Sequence, residues 1–191
     1  MNDIDLTPIL MSKMKSYPRK RGRYNSSELY FINSGATTPE QWLNPSEKKP
    51  EEVMKMWNGI GVHNQLEDLL GRRFSERKKE VIYRGIVLVG KVDYEPLQLP
   101  NEIWEFKSSS RKMSEPKEWH KHQTKLYLTM FGKDIGRVFQ PVKNKEGIYL
   151  KHLGMVERDD KWFEAEMEKL YQFHLEVEKL WEEKLKKESI K

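Results

Sequence analysis

Cysteine is absent from the 191 residues. Its absence removes disulfides, thiolate zinc sites, cysteine-ligated iron-sulfur clusters and cysteine nucleophiles together. Any metal must then be held by carboxylate, imidazole or carbonyl groups. Long apolar runs are missing too: no stretch approaches the roughly 18 residues of a membrane-crossing helix. The opening MNDIDLTPIL carries acids where a secretion signal wants a basic start. The expectation is an intracellular protein without a membrane, working in the cytoplasm or nucleoid, or in host cytoplasm if it comes from a virus or phage. There is no internal repeat and no low-complexity block, so one ordinary domain with ornaments is expected overall.

Hydrophobic residues make up 37% and charged residues 34%, which describes a globular chain with a heavily charged surface. The net charge of +5 favours a polyanionic partner, yet an excess this modest decides little alone.

Residues 1–50 read as an N-terminal extension. It holds the basic run Tyr17-Pro18-Arg19-Lys20-Arg21-Gly22-Arg23 and one or two short helices in otherwise irregular structure. Ser27 is placed to cap the first helix, and Thr38-Pro39-Glu40-Gln41 has the cap-then-proline order of a second. From Pro50 to Leu70 the residues Val53, Met54, Trp57, Ile60, Leu66, Leu69 and Leu70 recur at helical steps, predicting a helix with one buried face that ends at Gly71. Val81 to Tyr83, the turn Arg84-Gly85 and Ile86 to Val92 read as a β-hairpin, and Ile103 to Phe106 as a third strand. A helix follows from Glu118 to Phe131. A second hairpin joins Val138-Phe139 to Ile148-Tyr149-Leu150 through residues 144–147, and a long amphipathic helix runs from about Asp159. This order is that of a mixed α/β or α+β domain.

Chemistry gathers in Gly90-Lys91-Val92-Asp93 and in Ile103-Trp104-Glu105-Phe106-Lys107. Side chains alternate along a strand, so Glu105 and Lys107 share a face while Phe106 points away. Two carboxylates close together repel unless a cation neutralises them. A hard divalent ion such as Mg2+ or Mn2+ does so, and brings a water that can attack. The same three residues also suit ordinary ion pairs on a surface strand, and alone they leave both readings open. His63 and Glu67 lie four apart on one helix face, as do Gln123 and Tyr127. The first pair suits a metal ligand with a supporting acid, or a packed histidine beside a solvated glutamate. The second suits a hold on a phosphate or base edge, or the polar margin of an amphipathic helix. Arg19 to Arg23 suit DNA phosphates or a basic loop without special role. Tyr94, Trp104 and Trp119 suit base stacking, with Trp104 favouring the core.

Taken in chain order, His63, Asp93, Glu105-Phe106-Lys107 and Gln123-x-x-x-Tyr127 resemble the PD-(D/E)xK nuclease superfamily, and within it the RecB-type exonuclease branch that includes the small CRISPR-associated nucleases. The resemblance covers about residues 23 to 175 and rests on four motifs in matching secondary-structure context. It implies a restriction-endonuclease-like core in residues 51–191: a central mixed β-sheet flanked by helices and closed by the long C-terminal helix. It implies Asp93, Glu105 and Lys107 as catalytic residues, and His63, Asp93, Glu105 and the Phe106 backbone carbonyl as ligands of Mg2+ or Mn2+. Gln123, Tyr127, Ser108 and Ser109 would contact DNA. Glu67 has no counterpart in the family pattern and is a candidate support behind the ligands, and Arg21 and Arg23 are candidates for DNA phosphates near the site by their charge alone. Ser110 belongs to the same serine run. Many small relatives carry four cysteines for an iron-sulfur cluster; this chain keeps Ser27-Glu28-Leu29 without the cysteine, so no cluster is expected.

The function implied is phosphodiester hydrolysis in DNA, on single strands or ends, by exonuclease or endonuclease action. It would serve recombination, repair, replication or CRISPR adaptation, alone, as a homo-oligomer or with a DNA-processing partner. The alternatives are a catalytically silent DNA-binding or assembly module of the same fold, and a metal-binding interaction protein presenting its charged C-terminal helix.

Overall fold

The computed structural model describes residue 11 and residues 19–71, 75–109, 111–145 and 147–188. Tyr17, Pro18, Ser110 and Glu146 of the sequence expectations lie outside these. Strand β1 (Arg23–Asn25) leads into α1 (Ser26–Asn33), α2 (Pro39–Leu43) and α3 (Pro50–Leu70). Strands β2 (Ser75–Tyr83), β3 (Ile86–Tyr94) and β4 (Glu102–Phe106) follow, then α4 (Glu118–Phe131), β5 (Ile135–Asn144), β6 (Gly147–Glu157) and α5 (Asp160–Glu188). No helix among the described residues is long and apolar enough to cross a membrane.

The strands form one six-stranded mixed sheet organised around β3. Antiparallel β2 pairs along the whole of β3, from Ser75↔Tyr94 to Tyr83↔Ile86. Two short strands share the other edge: β1 runs parallel to β3 over Val87 to Val89, and β4 meets it antiparallel at Tyr94↔Trp104. Parallel β5 continues the sheet from β4, and antiparallel β6 closes it. The β2–β3 turn places Arg84 and Gly85 at φ 46° and 85°. Positive φ at both central residues suits a two-residue hairpin to the twist of its strands.

Helices α1 and α4 bury one face each against the sheet, and α5 packs across α1, α2 and α4. Tyr24, Leu29, Trp42, Leu88, Ile103, Leu126, Met130, Met167 and Leu170 form one core, so residues from the first 50 belong to the main body. Two glycines let α4 approach the sheet closely: a Cβ on Gly90 of β3 would lie 2.8 Å from Met130 Cε, and one on Gly136 of β5 2.4 Å from Thr124 Cγ2. Thr124 is fully buried and β-branched, so it has nowhere to turn. Gly136→Ala is therefore expected to cost about 1–3 kcal/mol through overpacking, seen as a lower unfolding midpoint. An unchanged midpoint would contradict this packing of α4 on β5.

Three expectations are corrected. The region before residue 51 holds the two short helices, but the described remainder is not all irregular, since β1 is a strand; three residues are too few to show a period. Ser27 does not cap α1: Asn25 takes the cap position without a side-chain bond, and Ser26 opens the helix with its hydroxyl turned into the protein. Thr38 and Gln41 do form the reciprocal cap of α2. The largest difference concerns α3. It has the expected bounds and ends at Gly71 with φ 92°, but buries only Val53 and Leu66, leaving Met54, Trp57, Ile60 and Leu69 exposed. Leu66, with Val62 and Leu70, seats the helix on Tyr94 and Phe106 of β3 and β4.

Candidate active site

Because β3 and β4 are in register at Tyr94↔Trp104, Asp93 stands directly across from Glu105 at the end of the ladder. There the backbone pairing gives way to side chains. The Phe106 N–H donates to Asp93 Oδ2 at 2.7 Å, and the Asp93 N–H points to Glu105 Oε1 at 3.4 Å. Each carboxylate thus takes up an N–H that the parting strands would leave unpaired. Glu105 is 1% exposed.

Lys107 follows β4, held by its own N–H to the Phe139 carbonyl of β5 at 2.8 Å. Its Nζ donates to Glu105 Oε2 and to Gln123 Oε1, both at 2.9 Å, and stands 6.0 Å from the centre of the Trp119 ring. An ammonium only donates, so it turns the Gln123 oxygen toward itself and the amide NH2 away. That NH2 donates to Tyr127 OH at 2.7 Å, and Ser26 Oγ reaches the same oxygen at 3.0 Å. From α3, His63 Nδ1 comes within 3.3 Å of Asp93 Oδ1.

The structure therefore brings together His63, Asp93, Glu105, Lys107, Gln123 and Tyr127 from four separate segments: α3, β3, the end of β4 and α4. Glu67 is half-buried one turn beyond His63. Ser108 and Ser109 are exposed beside α3, where they line a cleft with Lys55, Asn58, Gly59 and Val62. Arg21 and Arg23, expected beside the site, lie elsewhere. Arg21 grips Glu178 of α5 with its Nε 2.7 Å and 3.0 Å from the carboxylate, and Arg23 pairs with Glu80. Arg23 lies opposite Val87, six residues from Asp93 along β3, or roughly 20 Å. Trp104 joins the Tyr94, Phe106 and Phe139 cluster.

Two residues at the site carried no clear signal in the sequence. Ser26 comes from 101 positions before its partner, beyond any local spacing rule. His120 is buried, its Nδ1 accepting from the Lys117 N–H at 3.2 Å. Burial, with the charges of Lys107 and Lys117, pushes it down to about 4; its place one turn before Gln123 was the available hint.

Charge in this pocket is unbalanced. Burial first, and the Asp93 charge second, push Glu105 up to about 8 despite Lys107. Burial also opposes the charge on Asp93, but His63, Lys107 and the Phe106 N–H outweigh it and leave Asp93 below its ordinary value. Burial would lower His63 and Lys107; the carboxylates outweigh it, and both are raised. Tyr127 is pushed up to about 12 by burial and by Glu105. At neutral pH the pocket retains a proton where more positive charge would be accommodated. Carboxylate oxygens and imidazole are donors that Mg2+ or Mn2+ accept, so the residues fit such an ion in type and charge. Among the described residues no three acid or imidazole side chains already form a coordinating group: His63 pairs with Asp93, and Lys107 with Glu105.

No family model matches the chain, and no curated protein matches it. Solved structures do. A phage-related exonuclease from Haemophilus somnus 129PT superposes with a TM-score of 0.60 at 12% identity, covering 84% of this chain and 96% of that one. A protein called SSO0001 gives 0.58 at 19%, covering 85% and 81%. An alkaline exonuclease, LHK-Exo, from Laribacter hongkongensis gives 0.54 at 13%, covering 95% and 98%. The fold is restriction-endonuclease-like. In this nuclease-like fold the mixed sheet, its flanking helices and the long C-terminal helix are the expected parts, and Asp93 and Glu105 stand where two central strands diverge.

Proposed function

We propose that the chain is a metal-dependent nuclease of the RecB-like exonuclease branch, hydrolysing phosphodiester bonds in DNA single strands or ends. The observation that carries this reading is the convergence of two opposed carboxylates with the Lys107 ammonium inside a nuclease-like fold. The exonuclease neighbours support the reaction class. Asp93, Glu105 and His63, with the Phe106 carbonyl, would hold Mg2+ or Mn2+. A cation there supplies Lewis-acid charge and a nucleophile at neutral pH.

The chain's own residues do the rest. Glu105 and Asp93 surrender the retained proton and present anionic oxygens. Lys107, aimed by Gln123 and Tyr127, holds an ammonium where negative charge develops on the phosphoryl oxygens. Ser108 and Ser109 offer hydroxyls beside it for the strand's phosphates. A water oxygen bonds to phosphorus and gives up a proton to solvent, the bridging P–O bond breaks, and the departing oxygen takes up a proton from solvent.

The test is cleavage of end-labelled linear and circular DNA, single- and double-stranded, by wild type and Asp93→Ala with Mn2+, Mg2+ or EDTA. Cleavage that requires metal and is lost in Asp93→Ala is expected, and the circles separate endonuclease from exonuclease action. Wild type that binds these DNAs but cuts none of them with either metal would make the chain a silent binding module. The mutual pairing of His63 with Asp93 and Lys107 with Glu105 is what favours that second reading.

A further inference from the structure

The exposed side of α3 meets the candidate site at Gly59. On one flank of this glycine is a cleft of about 370 Å³ lined by Lys55, Asn58, Val62, Ser108 and Ser109. On the other is one of about 260 Å³ lined by Met56, Ile60, His63 and Asn64. Gly59 borders both, and a Cβ there would lie 3.0 Å from Ser108 Oγ. The missing side chain therefore keeps open a saddle joining a cleft edged by Lys55, Asn58, Ser108 and Ser109 to one edged by Met56 and Ile60. Met56 is 41% and Ile60 49% exposed, although burial is the ordinary fate of such residues. Exposed apolar surface next to a reactive site marks a binding surface.

We propose that the two clefts are one seat for a single-stranded nucleic acid segment that crosses α3 over Gly59. A base rests on Met56 and Ile60 with its edge toward Asn64, and the adjoining phosphate lies on Lys55, Ser108 and Ser109. The inference takes its substrate class from the nuclease reading. Three observations choose this occupant over an apolar helix or a second copy of the chain. Among the described residues no acid lines either cleft, although the chain holds 30 acids; a polyanion is therefore not repelled. The apolar patch is interrupted by Lys55, Asn58 and Asn64, the alternation of a strand with bases and phosphates rather than of a helix face. The seat also runs directly into the site, through His63 in one cleft and through Ser108, next to Lys107, in the other. A stacked duplex would keep its bases from Met56 and Ile60, so the seat selects unpaired strands.

Fluorescence anisotropy of a labelled oligo(dT), and of a duplex of equal length, with the full chain in EDTA tests this without requiring cleavage. Gly59→Leu fills the saddle and, as a better helix former than glycine, should not unfold α3. Gly61→Leu is the matched control, because a Cβ there meets nothing within 4 Å. Expected are tighter binding of the single strand than of the duplex, at least about tenfold weaker single-strand binding in Gly59→Leu, and wild-type binding in Gly61→Leu. Lys55→Gln should reduce the slope of log affinity against log salt by about one, as for a lost phosphate contact. The proposal is overturned by wild type that does not bind the single strand, by preference for duplex, by equal effects of the two leucines, or by a dimer in light scattering that Gly59→Leu dissociates. Binding with these properties but no cutting with any metal defeats the nuclease reading and leaves the seat standing. Cutting with normal binding by Gly59→Leu defeats the seat alone.

Discussion

Lys107→Met is expected to lower the rate of DNA cleavage by roughly 10²–10³-fold, the loss seen when one preorganised stabiliser of transition-state charge is removed. Methionine replaces most of the packing of the lysine stem but supplies no donor to Glu105 or Gln123. Its effect should fall on kcat rather than KM, because in the proposed reaction the ammonium, held by Glu105 and Gln123, acts on charge that develops only in the transition state. Lys107→Arg should not restore the rate: a planar fork cannot take the place of a compact ammonium between one carboxylate oxygen and one amide oxygen. Gln123→Ala is expected to be milder, about tenfold, since it frees the lysine without removing its charge. Gln123 acts through Lys107, so adding Gln123→Ala to Lys107→Met should cost nothing more. Single-turnover rates for Lys107→Met, Lys107→Arg, Gln123→Ala and the double variant decide the matter. A Lys107→Met protein within a few-fold of wild type, or strictly additive losses, would contradict this role.

The second large effect concerns stability in the absence of metal. In EDTA the unfolding midpoint is expected to fall as pH rises from about 5 to about 9. Glu105 has an ordinary value of 4.5 and is pushed up to about 8 in the folded chain, by burial and then by Asp93. Between those values the folded state keeps a proton that the unfolded state has released, so raising pH favours unfolding. The loss is complete above the folded value. His63, also raised, works in the same direction, because its charged pairing with Asp93 is lost as pH climbs through its folded value. Asp93 works in the opposite sense but is lowered, so its contribution is lost only at pH below its ordinary 3.8, outside the window. At about 1.4 kcal/mol per unit the Glu105 shift amounts to a few kcal/mol, which is on the order of 10 °C in a chain of this size. Glu105→Gln should flatten the profile and exceed wild type at pH 9. Mn2+ should raise the wild-type midpoint more at pH 8 than at pH 5.5, because the ion replaces the proton. A midpoint that does not fall with pH, or a Glu105→Gln variant with the same slope, would show that Glu105 does not retain its proton.

Much of the local structure was legible in residue order. The Pro50 to Leu70 helix, the Arg84-Gly85 turn and the Glu118 to Phe131 helix appear where the periods and breakers put them. Asp93 and Glu105 could be placed on adjacent strand ends because strand alternation and a short connection are local properties. The register that sets them directly across from each other was not local. It depends on β1 occupying the first half of one edge of β3, which leaves β4 only the end of that edge. Arg21 and Arg23 were read as free basic groups because the acids they meet, Glu178 and Glu80, are 157 and 57 residues away. Trp57 and Ile60 repeat as a core-facing stripe should, but a stripe is buried only where another element covers it.

Taken alone, the order of residues determined which elements form, which side chains share a face, and that Asp93 stands near one strand end with Glu105 and Lys107 together at another. These follow from dihedral preferences and repeat periods that act over a few residues. Only the tertiary structure decided that Ser26 and Gln123 brace Tyr127 and Lys107, that the basic pair is occupied elsewhere, and that α3 leaves its apolar side open beside the site. Ser26 meets Tyr127 from 101 positions away and the basic pair meets its acids across 157 and 57, while Gln123 reaches Lys107 only because α4 packs beside β4; which segments meet, and which face stays uncovered, is set by how the whole sheet and its helices fill space.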